Sequence, residues 1–145
     1  MVIGIIVILL IIIGFIWWRL TRRKRAMTVL LRHSQRVTDQ VVTKALAQLN
    51  LTAPAASQAV ADVWGHGVMA FSYQVPSDEP ISETTLNAAL AAVADDETIA
   101  SSDISYPAFV VTDLWHREHK LNFDVAFITN QATIDYVEDL SRLTE

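Results

Sequence analysis

Seventeen consecutive residues with no charge and no proline, Val2 to Trp18 (VIGIIVILLIIIGFIWW), constrain this chain more than anything else in it. With Met1, and at about 1.5 Å per residue, a helix over this run extends about 27 Å, close to the hydrocarbon thickness of a bilayer. A helix apolar on every side needs either lipid or a large protein core around it, and the rest of the chain is too short for such a core. The sequence therefore predicts a transmembrane helix over residues 1–18. A secretory signal opens on a basic region and closes on small residues at a cleavage site. This run opens on Met1-Val2 and closes on Trp17-Trp18-Arg19, which predicts an uncleaved anchor.

Trp17 and Trp18 stand where an aromatic belt meets the headgroups, and Arg19, Arg22, Arg23, Lys24 and Arg25 come next as a basic collar over residues 19–25. Each cation near an anionic leaflet contributes about 1 kcal/mol of attraction. These seven residues form the expected membrane interface, with the lipid bilayer as first partner. No basic residue precedes the span and five come after it, so the positive-inside rule predicts a single-pass protein of the cell membrane with its N-terminus outside and its C-terminal domain cytoplasmic. Gly4 and Gly14 lie ten positions apart and make no GxxxG dimerisation face.

Composition divides at the collar. The chain has 52% hydrophobic residues and a mean hydropathy of +0.30, but much of that excess lies in the span. Beyond residue 25, 6 basic residues face 16 acidic ones, a net charge of −10. So acidic a body argues against nucleic acid as a partner, because phosphate binding needs clustered Lys and Arg. With no cysteine, disulfides, thiol catalysis and cysteine-ligated metals are excluded.

Residues 26–64 read as a helical stalk. Leu30, Val37, Val41, Ala45 and Leu49 recur at helical spacing, Thr52-Ala53-Pro54 interrupts them, and Pro54 suits the first turn of a second helix through Ala59, Val60, Val63 and Trp64. Residues 65–145 read as a small α+β domain. Val68 to Val75 alternates as a strand, and Ser82 caps a helix to about Ala94, with Ile81 and Leu86 as its hydrophobic staple. Ala108 to Trp115 and Leu121 to Thr129 form a hairpin around a turn at His116 to Lys120. Asn130 caps a last helix with the stripe Ile134, Val137 and Leu140. The expected sheet is three-stranded and antiparallel. Its order β-α-β-β-α resembles the ferredoxin-like arrangement without the last strand, in element order alone. That order leaves the first strand at a sheet edge open to strand addition, unless the helix after Pro54 covers it.

Chemistry is sparse. His116-Arg117-Glu118-His119 is the one cluster of metal-ligating types, but two imidazoles three apart on a hairpin lack the helix and third ligand of a zinc protease site. Asp95-Asp96-Glu97 lacks the alternating oxygen ligands and central glycine of a calcium loop. Gly65-His66-Gly67 reads as a helix stop rather than a general base. No phosphate loop, dinucleotide fingerprint or nucleophile elbow is present. The sequence thus predicts no catalytic residue, no cofactor and no metal site, with His116 and His119 the candidates held in reserve. It points to a membrane-anchored interaction domain whose partner is another protein or a second copy, met through a sheet edge or the stalk. The alternatives are a subunit of a larger membrane complex, or a membrane-bound metal-dependent enzyme using His116 and His119.

Overall fold

A computed structural model describes residues 2–60 and 67–144. Among these, three helices and four strands run in the order α1 (Val2–Gln48), β1 (Gln58–Ala59), β2 (Ala70–Pro76), α2 (Glu83–Asp96), β3 (Phe109–Arg117), β4 (Lys120–Phe127) and α3 (Gln131–Leu143). The chain divides into two compact units, Met1–Arg32 and His33–Glu145.

The described residues of the first unit are all helix. From Ile3 the helix is long and apolar enough to cross a membrane by length and composition, and no part of its most apolar window is buried. Phe15 and Trp18 lie 6.1 Å apart between ring centroids, and the Arg22 guanidinium sits 4.0 Å above the Trp18 ring. A cation over an indole face is a favourable pairing at an interface.

The second unit is the α+β domain, and α1 contributes its last four turns to it. The stripe that α1 buries is Ser34, Thr38, Val41, Val42, Ala45 and Leu46. Val37 and Leu49 are only half-buried and Leu30 is exposed, so the buried register is rotated from the expected one. Ser34 and Thr38 are buried in this stripe although polar by type, and Thr38 donates its hydroxyl to the Ser34 carbonyl at 2.7 Å. Asn50, at φ 57°, ends this helix before Pro54 is reached. The Leu51 and Asn50 amides fold back onto the Leu46 and Ala47 carbonyls at 2.9 and 3.1 Å, a left-handed cap.

The sheet is antiparallel and four-stranded, in the order β1-β2-β4-β3. This corrects the expected three strands. It also corrects the second stalk helix: Gln58 and Ala59 pair with Ser72 and Phe71 as a strand, while Val63 and Trp64 lie outside the described residues. Because β4 is antiparallel to both β2 and β3, those two run parallel with β4 between them. One face carries Phe71, Tyr73, Val75, Leu121, Phe123 and Val125, all buried. α2 lays Leu86, Ala89, Leu90 and Val93 onto this core, as its spacing predicts. Phe109 stacks on Phe127 at 4.6 Å, and Tyr73 on Phe123 at 5.3 Å. The Tyr73 phenol donates to Asp39 Oδ1 of α1 at 2.7 Å. α3 shelters the opposite face at one end, where Ala70, Ala126, Ile128, Ile134 and Tyr136 form a second cluster with Val110, Val137 and Leu140 against it.

Both helix caps are as the sequence predicts. Ser82 Oγ accepts from the Thr85 amide at 3.1 Å, and Asn130 Oδ1 from the Thr133 amide at 2.9 Å. α2 runs two residues past the expected stop, to Asp96. The left-handed Thr98 closes it, and Glu97 pairs with Lys44 on α1, which offsets the acidic end.

Candidate functional site

The sheet edge expected to be open is blunted instead. β1 occupies the flank of β2 at Phe71 and Ser72, and the Val60 amide donates to the Ala70 carbonyl at 2.9 Å. At the other edge, Asn87 Oδ1 of α2 takes the Val111 amide at 2.9 Å. Asp113 Oδ1 takes the Leu114 amide, also at 2.9 Å, beside a register shift between Val111 and Asp113. Side-chain acceptors and a bulge are the usual means of discouraging strand addition.

The hairpin turn is shorter than expected. β3 continues through His116 and Arg117 and β4 starts at Lys120, so only Glu118 and His119 turn, both at positive φ (52° and 60°). Such a two-residue turn matches the twist of its strands but strains side-chain-bearing residues. Contacts to the loop before α2 hold it. The Ser77 amide donates to the His119 carbonyl at 2.9 Å, and His119 Nδ1 lies 2.8 Å from Asp78 Oδ1. The Ile81 amide donates to His116 Nε2 at 3.3 Å. An open depression of about 260 Å³ lies among these residues. The two imidazoles therefore serve different partners, and no group of three or more His, Asp or Glu among the described residues is placed to hold a metal. His66 lies outside the described residues.

The part of the sheet that neither α2 nor α3 shelters shows a polar face, legible only once the register is known. Cross-strand partners stack in rows. The row nearest α3 is Ser72, Asp124 and Asp113; the next is Gln74, Asn122 and Trp115; the last is Pro76, Lys120 and Arg117. Side-chain bonds tie the rows together. Ser72 Oγ donates to Asp124 Oδ1 at 2.5 Å, Gln74 Nε2 to Asn122 Oδ1 at 2.8 Å, and Lys120 Nζ to Gln74 Oε1 at 3.3 Å. Trp115 is 43% exposed, unusual for an indole on a sheet. Burial pushes the Asp124 carboxyl above the usual range; the Ser72 hydroxyl opposes this and the neighbouring Asp113 charge adds to it. Burial likewise raises the Tyr136 phenol, which faces the same two carboxylates.

Comparison with family models, with curated proteins and with solved structures finds no match, so function is argued from these residues.

Proposed function

We propose that the chain is a single-pass membrane protein presenting a small acidic α+β domain to protein partners on the cytoplasmic face of a cell membrane. The observation that carries this is the exposure of α1, with Ile3 at 79%, Leu10 at 63% and Trp17 at 74%. In water this surface far exceeds the apolar patches that soluble monomers tolerate, whereas in hydrocarbon a helix meets its own backbone needs. Trp17, Trp18 and the five cations from Arg19 to Arg25 supply an interface belt and favour the cytoplasmic side for the domain beyond them. The element order β2, α2, β3, β4 and α3, with the short β1 ahead of it, supports reading the domain as ferredoxin-like in arrangement.

Alkaline carbonate extraction of membranes containing the full chain tests the anchor. The chain is expected in the pellet at full mass, and the Ile8→Arg/Ile11→Arg variant in the supernatant. Release of the parent chain, or loss of its first residues, overturns the anchor. Protease added outside sealed right-side-out vesicles should spare the domain, and its digestion overturns the orientation.

A further inference from the structure

The polar sheet face carries a charge pattern with a symmetry of its own. Along β3, Asp113 and Arg117 lie two places either side of Trp115; along β4, Asp124 and Lys120 flank Asn122 in the same way. The face is therefore acidic at one end, basic at the other and neutral across its middle row. A two-fold axis lying along the Gln74–Asn122–Trp115 row, perpendicular to the strands, superposes the acidic row of one copy on the basic row of another. An axis along the strands instead sets like charges against each other. We propose that this face is the docking surface for a second copy of the chain, about that perpendicular axis, with Asp113 facing the other copy's Arg117 and Asp124 facing its Lys120.

The exposed indole and the amides of Gln74 and Asn122 lie on the axis, where an isologous contact sets each against its own counterpart. Asp124, Lys120 and Asp113 each make a contact within their own copy, to Ser72, Gln74 and the Leu114 amide, and Arg117 is held more loosely. Among the described residues Arg117 pairs with its neighbour Glu118 at 3.4 Å, both side chains 77% exposed, a contact worth little in water. A three-by-three patch falls short of the roughly 800 Å² per partner of a standard interface, so the contact is weak in dilute solution. Confinement of both copies to one membrane raises their effective concentration. The strength of the docking, though not its geometry, thus rests on the anchored reading, and carbonate extraction reports on that separately.

The absence of cysteine allows a direct test on the full chain in membranes. Asn122→Cys should cross-link to a second copy with a short bis-maleimide, and Asp96→Cys, on the exposed surface of α2, should not. Adding Arg117→Asp, or separately Asp113→Arg, turns the two symmetry-related contacts between positions 113 and 117 repulsive, leaves Asp124 and Lys120 unchanged, and should lower the Asn122→Cys cross-link by about tenfold. Co-expressing those two variants restores opposite charges at both positions and should return the cross-link, now between unlike copies. Melting curves of the variants matching the parent show that the fold is kept. Equal cross-linking at residues 122 and 96, failure of the mixture to recover, or a cross-link to a different protein overturns the proposal. A chain that extracts from the membrane yet still cross-links at 122 overturns the anchor and leaves the docking face standing.

Discussion

Asp124 lies on the central strand with Ser72 opposite it on one side and Asp113 on the other. Its folded-state pKa is raised, first by burial and then by the Asp113 charge, with the Ser72 hydroxyl as a partial offset. As pH climbs from the ordinary carboxylate range through that raised value, the unfolded chain ionises first. The folded state is then penalised relative to it, and stability falls with rising pH over that window. Asn in place of Asp124 still accepts from Ser72 and cannot ionise. Asp124→Asn should therefore melt at a higher temperature than the parent at pH 7 and at the same temperature at about pH 3, below both values. An equal gain at both pH values contradicts this account. The exposed groups around it, Asp113 above all, are visible in the sequence as hairpin charges, but their sharing one face with Asp124 is not. A one-residue shift near Val111 decides it.

At the scale of elements, the hairpin shows what spacing conveys and what it misses. The alternation of Leu121, Phe123 and Val125 identifies β4 and its buried face. Spacing makes the turn five residues long because His116, Arg117 and Lys120 are polar, although polarity at the end of an exposed hairpin is equally compatible with paired strand. Glu118 accommodates the tight turn by adopting φ 52°, where asparagine is better tolerated. Glu118→Asn should stabilise the fold by about 0.5–1 kcal/mol, measured by denaturant unfolding, since the lost Arg117 pairing is exposed. The caps at Ser82 and Asn130 are legible because capping is local chemistry. β1 is not, because two residues carry no period; its partner Phe71-Ser72 lies over ten residues on, and the residue before it, Ser57, accepts from Gln35 of α1 at 2.8 Å. The stalk's buried register escapes the pattern for a related reason: Ser34 and Thr38 are polar by type and yet buried.

For the whole molecule, the division at Arg32 places every strand and both later helices in the unit from His33 to Glu145. A fragment beginning at His33 should be soluble, with a cooperative melt close to that of the full chain in detergent. Aggregation of the fragment, or loss of its melt, contradicts the independence of that unit. Residue type and order along the chain determined the uncharged run from Val2 to Trp18, the cations from Arg19 to Arg25, the acidic body and the identity of most elements. Hydrophobic run length, charge and capping act over neighbouring residues and need no knowledge of what lies opposite. Tertiary structure alone decided that a short strand takes up part of the expected open edge, that His116 and His119 serve different partners, and that the part of one sheet face covered by neither α2 nor α3 carries opposite charges at its two ends. Those properties belong to pairs of residues far apart in the chain, and strand register sets them: a slip of one residue would exchange the buried face for the exposed one.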